Sequence, residues 1–271
     1  MGRNTLLRMI PMVLALWLSF VSPGFSASLY EQSLEQFAVR VKQADPADYT
    51  FVVLGDSRGN DRVFRKSLAL AASFKPLFIL HGGDISDNGS RAELERFLTI
   101  VREQIPEIPL FVVRGNHERD KRLFEEKIGP LNFTIDSSRL DAEVIAVDNS
   151  TSALKPAELD FLRLHLREKR RTTFIAMHEP PKTPHWDWHT FTEGAPEFFR
   201  LINGKKPDML FFSHVHQYVR DEVAGIPAVI TGGAGAPLYA REKFPGEPVY
   251  HVVVVRVKRG KVTEEMVRLK N

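Results

Sequence analysis

The chain has 271 residues, 43% of them apolar, which is ordinary for a protein with a sizeable core. It contains no cysteine, which excludes disulfides and excludes a thiol as nucleophile or metal ligand. Because 37 basic residues nearly balance 34 acidic ones and the signs are mixed, neither nucleic acid nor an anionic membrane surface is expected as a partner.

The first 28 residues have the layout of a secretory signal peptide. Arg3 and Arg8 form a basic start, an apolar run follows at 10–21, and small residues stand at 26–28. The run is shorter than the ~20 residues that span a bilayer. We therefore expect cleavage near residues 26–28, export to the periplasm or the medium and no membrane span afterwards; an uncleaved anchor is the alternative.

Residues 29–271 alternate between helical and strand patterns without a repeat or linker, which predicts one domain. Helices are expected at 29–43, 61–74, after Ser90, at 156–170 and from 195. Short apolar strands are expected at 50–54, 77–80, 110–113, 133–135, 144–147, 173–177 and 209–212. The remainder, at 218–231 and 250–267, is expected to be β-rich with hairpin turns at Gly225 and Gly260.

Three strand–helix units follow one another at the start of this pattern, and such units form a mainly parallel sheet. Ser90 and Glu93 have the spacing of a capping box, which supports the start of the third helix. The fold class is therefore predicted to be α/β, with a layered, sheet-rich core flanked by helices.

Five polar segments each follow a predicted strand. They are GDSRG at 55–59, GGDISDNG at 82–89, RGNHE at 114–118, MHEPP at 177–181 and SHVHQ at 213–217. In α/β proteins, ligands bind where strands end in loops, so these side chains can converge. They include the carboxylate, amide and imidazole groups that bind metal ions, and a carboxylate can bridge two ions. His214 and His216 alternate on an extended segment and therefore face the same side.

The ordered set resembles the calcineurin-like metallophosphoesterases, and the match extends from Asp56 to His216. The resemblance implies a four-layer α/β/β/α sandwich with a dinuclear metal centre. It implies that Asp84 bridges the two ions, and that Asp56 and His216 hold the first. The second ion would be held by Asn116, His178 and His214.

The same resemblance implies that His117 contacts the substrate phosphate and helps to protonate the leaving oxygen. The glycine-rich turn at 232–235 is similar to a closing loop of the family. The predicted reaction is in-line attack at phosphorus by a metal-bridging hydroxide, because metal binding lowers the pKa of water to about 7 in favourable cases.

Arg58 departs from the family pattern, which has Asp-x-His where this chain has Asp56-Ser57-Arg58. A guanidinium cannot bind a cation because it has no free lone pair. Water or Asp87 could fill the vacant ligand position. Manganese, iron and zinc all remain open as the two ions, and the oxygen-rich first position favours a harder ion such as manganese or iron.

If Arg58 points into the site, its charge would suit a dianionic phosphate. The predicted function is therefore a phosphomonoesterase acting on a small phosphorylated substrate, with Arg58 and His117 as catalytic residues. A phosphodiesterase and a non-catalytic metal-binding or phosphate-binding relative are the alternatives. A serine hydrolase using Ser57 is disfavoured because the chain lacks a late Asp-x-x-His pair.

The loop at 179–194 is rich in proline, tryptophan and histidine. Loops of this length without a pattern of their own are usually functional or mobile. Its segment 185–189 either lines the substrate entrance or packs over the core, and both interpretations stay open. The histidines outside the five segments that we expect to be structural are His81, His165 and His251.

Overall fold

Two β-sheets lie face to face in the computed structural model, which describes residues 27–167, 170–184, 186–239 and 246–270. The helices are α1 (Leu29–Gln43), α2 (Asp61–Ser73), α3 (Arg91–Gln104), α4 (Lys121–Lys127), α5 (Pro156–His165) and α6 (Ala195–Lys205). The strands are β1 (Asp48–Leu54), β2 (Ile79–His81), β3 (Leu110–Val112), β4 (Phe133–Ser137), β5 (Ala142–Ala146), β6 (Thr172–Ala176), β7 (Met209–Phe212), β8 (Tyr218–Val223), β9 (Ile226–Thr231), β10 (His251–Lys258) and β11 (Lys261–Arg268).

The first sheet has the order β11-β10-β1-β2-β3, and the second has the order β4-β5-β6-β7-β9-β8. Strands β1, β2 and β3 are parallel to one another, as are β5, β6, β7 and β9. The outer strands β4, β8, β10 and β11 pair antiparallel with their neighbours. The parallel centre of each sheet therefore directs its carboxyl ends, and the loops that follow them, to one edge.

Side-chain alternation along the strands sorts the core into layers. On β1, Phe51 and Val53 face the second sheet, whereas Val52 and Leu54 face α2 and α3. Phe51 is fully buried, stacks on Phe78 at 4.8 Å between ring centroids and meets Phe174 of the second sheet edge-on at 5.1 Å. Such aromatic pairs contribute about 0.5–1.5 kcal/mol each beyond area burial.

The outer face of the second sheet packs against α5 and α6. Ile175 and Leu210 point to this side and join Leu162 of α5 and Phe198 of α6 in one apolar cluster. Helices, sheet, sheet and helices therefore follow one another, which confirms the predicted layered α/β fold.

Helix α1 covers the edge at β3. The buried hydroxyl of Ser33 donates to the carbonyl of Leu110 and accepts its N–H, at 2.9 and 3.1 Å. An edge strand exposes unpaired backbone groups, and this contact satisfies one residue of β3. Phe37 of the same helix packs edge-on against Phe78 and Phe111, which ties α1 to the space between the sheets.

Most predicted elements are confirmed, including the Ser90–Glu93 capping box and the helix that begins at Ala195. The hairpin turns occur at Ala224-Gly225 and Arg259-Gly260, where all four residues have positive φ. Helix α5 ends at His165 rather than near 170. Helix α4 was not predicted, because its seven residues are too few for a clear helical pattern.

The predicted signal peptide at 1–28 lies almost wholly outside the described residues, so it stays a prediction, as does the boundary of the domain at residue 29. Within the described ranges, no helix has the length and apolar character needed to cross a bilayer.

Candidate metal centre

All six predicted metal ligands lie at the carboxyl ends of parallel strands. Asp56 follows β1 and Asp84 follows β2. The remaining four follow β3, β6 and β7; they are Asn116, His178, His214 and His216. The structure brings these residues together at the edge where both sheets end.

The two aspartates are held in an unusual backbone conformation. Asp56 and Asp84 both have φ of +56°, in the left-handed region that residues other than glycine rarely adopt. Their loops bond to each other, from Asp56 N–H to the Gly83 carbonyl at 3.0 Å and from Arg58 N–H to the Asp84 carbonyl at 3.2 Å. Strained backbone of this kind persists where the surroundings hold it, and it clusters at functional sites.

Within the described part of the chain, two groups of side chains have ligand atoms within 4.8 Å of one another. Asp84 belongs to both groups. Its partners are Asp56 and His216 in the first and His178 and His214 in the second. Asn116 extends the second group, because its Oδ1 lies 2.9 Å from His178 Nε2.

Backbone carbonyls orient two of the imidazoles. His178 Nδ1 donates to the Gly82 carbonyl at 2.8 Å, and His216 Nδ1 donates to the Pro237 carbonyl at 2.8 Å. The opposite nitrogens then face the carboxylates, with His178 Nε2 3.4 Å from Asp84 Oδ1 and His216 Nε2 3.5 Å from Asp56 Oδ1. Metal-binding histidines are usually held in this way through the ring nitrogen that does not bind the metal.

The electrostatics of the cluster favour a bound cation. Asp56 Oδ1 is buried without a hydrogen-bond partner, which is costly for a carboxylate oxygen. Burial raises the pKa of Asp56, but the His216 imidazole, 3.5 Å away, together with attraction to His178 and His214, lowers it to about 2. The residues therefore fit metal ions, because an ionised carboxylate with a free oxygen lies among imidazole nitrogens.

In two neighbouring groups, Asp84 and His214, the pKa shifts favour the neutral form. Burial is the largest cause that raises the pKa of Asp84 well above its ordinary value, and repulsion from Asp56 is the second. Burial, followed by repulsion from His178, lowers the pKa of His214 to about 2. Both groups therefore favour their neutral forms; a shared cation would stabilise ionised Asp84 and would bind the lone pair of neutral His214.

Asp87, the open candidate for the vacant ligand position, is not part of either group. Its Oδ1 instead accepts from Arg58 Nη1 at 3.1 Å, and the Asp87 side chain is 47% exposed. Arg58 also reaches Asp84, with its Nε 3.5 Å from Asp84 Oδ2. Arg58 therefore points toward the centre, the condition on which its expected role depended, and Asp87 is its partner.

His117 lies beside the centre. Its Nδ1 donates to the Asp87 carbonyl at 2.6 Å, and its Nε2 lies 3.8 Å from Asp84 Oδ2. Its backbone N–H donates to Asp84 Oδ1 at 3.1 Å. Burial is the largest cause of a lowered pKa for His117.

The 185–189 segment has residues in the core and residues beside the centre; that it lines the substrate entrance stays a prediction. Trp186 is buried in the cluster under α5 and α6. Trp188 packs edge-on against Tyr239, which stacks on His216 at 4.5 Å between ring centroids. His189 lies over His214, with 3.1 Å between His189 Nδ1 and His214 Nε2; His185 lies outside the described residues.

A model of the calcineurin-like phosphoesterase family matches residues 49–218, more than half of the chain. The chain belongs to this family. The predicted family is therefore confirmed.

Two curated members resemble the chain over about half its length. One, from Synechococcus, is named a probable cyclic nucleotide phosphodiesterase and is 29% identical over 158 residues, 52% of this chain and 58% of its own. The other, from Arcobacter nitrofigilis, is named a probable glycerophosphodiester phosphodiesterase GpdQ and is 28% identical over 162 residues, 53% of this chain and 58% of its own. The matches thus span less than two thirds of either relative.

Solved structures share the fold at low identity. GAP50, the anchor in the inner membrane complex of Plasmodium, superposes with a TM-score of 0.68 at 12% identity over 83% of this chain and 86% of its own. The purple acid phosphatase PPD1 from yellow lupin seeds also has a TM-score of 0.68, at 14% identity over 82% of this chain and 51% of its own. These likenesses support the four-layer fold.

Glu118, the last residue of the RGNHE segment, was not predicted to have a role. Its fully buried carboxylate accepts N–H groups of Asp84, Ile85, Ser86 and Gly115 at 3.0–3.1 Å, together with the Ser86 hydroxyl. Burial and then the Asp84 charge raise the pKa of Glu118 to about 7. Glu118 thereby joins the loops after β2 and β3 and holds Asp84 in place.

Asn149 has a similar role for the loop after β6. Its Oδ1 accepts the N–H groups of His178 and Glu179, both at 3.0 Å, and its Nδ2 donates to the Glu179 carbonyl at 2.7 Å. No sequence pattern indicates the roles of Glu118 and Asn149, because an isolated Glu or Asn after a strand is also common at ordinary turns.

We expect Glu118→Ala to lower the free energy of unfolding by at least about 3 kcal/mol, because several buried N–H groups lose their acceptor. Glu118→Gln should cost less, since one oxygen still accepts from Ile85 and Ser86. Urea unfolding of the metal-free protein measures both. Glu125→Ala, at an exposed position of α4, is the control and should change little; equal stability of Glu118→Ala and the control would contradict the role of Glu118.

Proposed function

We propose that the protein hydrolyses phosphoesters at a centre of two metal ions. The observation that carries the proposal is that Asp84 belongs to both groups of ligand atoms. Asp56 and His216 would complete the first position, and the ligands of the second would be Asn116, His178 and His214. When bound, the ions would supply Lewis acidity that neutralises the phosphate and activates a water molecule.

The donor sets of the two positions differ. Two carboxylates and one imidazole surround the first, whereas two imidazoles, an amide and the shared carboxylate surround the second. A harder ion, manganese or iron, therefore suits the first position, and manganese, iron or zinc suits the second.

His117 is proposed to assist the leaving group. Because Nδ1 donates to the Asp87 carbonyl, Nε2 is the nitrogen that faces the centre. Burial lowers the pKa of His117 in the protein without substrate, but a phosphate bound beside Nε2 would raise that pKa and favour the protonated ring. That ring carries the proton on the atom from which a leaving oxygen can take it.

The substrate class follows from charge. The predicted preference for phosphomonoesters required Arg58 as a surplus positive charge, but Asp87 accepts from its guanidinium and balances it. With two divalent ions and a hydroxide bound, the two carboxylates would leave the centre with about one positive charge, which suits a monoanionic phosphodiester. We therefore propose small phosphodiesters as the preferred substrates, in keeping with the names of the two curated relatives.

Asp84→Asn and His178→Ala should each reduce hydrolysis at least about a thousandfold, because each removes a proposed ligand. The assay is release of p-nitrophenol from bis(p-nitrophenyl) phosphate with added manganese, before and after chelation. Asp141→Asn, in the turn before β5, is the matched control and should keep full activity. Circular dichroism should show an intact fold in all variants.

Three outcomes separate the candidate functions. Turnover that is lost on chelation and restored by metal supports the proposal. Metal uptake without turnover would identify a non-catalytic relative, and turnover that survives chelation would rule out metal-dependent hydrolysis.

The ester class is tested by the ratio of the rates with the diester and with p-nitrophenyl phosphate. The wild type should prefer the diester. Asp87→Asn leaves the charge of Arg58 uncompensated and should shift the ratio about tenfold toward the monoester, a change of about 1.4 kcal/mol. Arg58→Ala should not produce that shift. An identical ratio in all three proteins would refute the charge argument, and a wild-type preference for the monoester would restore the original prediction.

Export is proposed from the basic start, the apolar run at 10–21 and the small residues at 26–28. N-terminal sequencing of protein expressed from the full chain in a bacterium checks it. We expect a periplasmic protein that begins within or just after residues 26–28, whereas an intact N-terminus in the cytoplasmic fraction would contradict export.

A further inference from the structure

His214 is held differently from the other two histidines of the centre. In His178 and His216, Nδ1 donates to a backbone carbonyl and Nε2 faces a carboxylate. In His214 the ring is reversed, because Nδ1 lies 3.1 Å from His178 Nε2 and points into the centre. Its Nε2 points outward and lies 3.1 Å from His189 Nδ1.

This reversal determines the protonation that binding requires. A neutral imidazole carries one proton, so His214 can offer the Nδ1 lone pair to a cation only with its proton on Nε2. That N–H needs an acceptor, and Nδ1 of His189 is at hydrogen-bonding distance. His189 then carries its own proton on Nε2.

The loop around His189 is anchored on both sides. Trp186 is buried in the core and its indole N–H donates to the Trp188 carbonyl, and a β-bridge joins Pro181 to Phe191. The ring of Trp188 lies 3.4 Å from that of His189 between centroids. His189 itself has φ of +50°, so its backbone is held in a conformation that a free loop would avoid.

We infer that His189 is a positioning residue that fixes His214 in the form able to bind metal through Nδ1. This inference rests on the proposed function and deepens it, because it adds a residue outside the five segments to the support of the second metal position. The side-chain partners of metal-binding histidines commonly affect metal affinity by about tenfold to a hundredfold.

The test compares His189→Phe with His189→Asn. Phenylalanine keeps a ring against Trp188 but has no acceptor, whereas the Oδ1 of asparagine can take the place of Nδ1. We expect His189→Phe to weaken manganese binding about tenfold to a hundredfold in competition with a chelator, and His189→Asn to restore most of it. His165→Phe, a histidine paired with Glu143 outside the centre, is the control and should bind as the wild type does.

A second readout does not need metal. In the metal-free protein the His214 proton has two competing acceptors, His189 Nδ1 for a proton on Nε2 and His178 Nε2 for a proton on Nδ1. Imidazole ¹⁵N spectra should therefore show a smaller fraction of the Nε2–H tautomer of His214 in His189→Phe than in the wild type and His189→Asn. Wild-type metal affinity and an unchanged His214 spectrum in His189→Phe would overturn the inference while the proposed function stands. Failure of the wild type to bind metal would instead overturn the proposed function, and the inference with it.

Discussion

Asp56 and Asp84 are buried carboxylates that face the same small space, and the loops that carry them are bonded to each other. Asp56 and Asp84 repel each other, and burial adds to the cost of their charge. The chain offsets this cost with backbone N–H groups, from His214 to Asp56 at 2.9 Å and from His117 to Asp84 at 3.1 Å. One oxygen of Asp56 still lacks a partner. A cation is the group that would satisfy it.

Arg58 illustrates how one substitution in a family pattern can change the chemistry of a site. It cannot replace a histidine as a ligand, but its guanidinium reaches Asp84 and pairs with Asp87. The pair places a dipole beside the centre rather than a net charge. This arrangement links the departure from the family pattern to the kind of ester that the centre would accept.

Much of the fold could be predicted because its signals are local. Strand β7 is a short apolar run, and helix α3 begins with a capping box. Each of these two signals lies within a few consecutive residues. The convergence of the six candidate ligands followed from their position after strands. The roles of three residues could not be assigned in this way, because each acts through contacts with segments distant in sequence or through backbone groups that have no sequence signature. These residues are Glu118, Asn149 and His189.

Anomalous X-ray diffraction from crystals grown with manganese would locate the bound ions. A dinuclear centre should give two peaks about 3.5–4 Å apart on either side of Asp84. One should lie against Asp56 and His216, and the other against His178 and His214. The absence of a peak at Asp84, or a single ion bound elsewhere on the protein, would contradict the dinuclear centre.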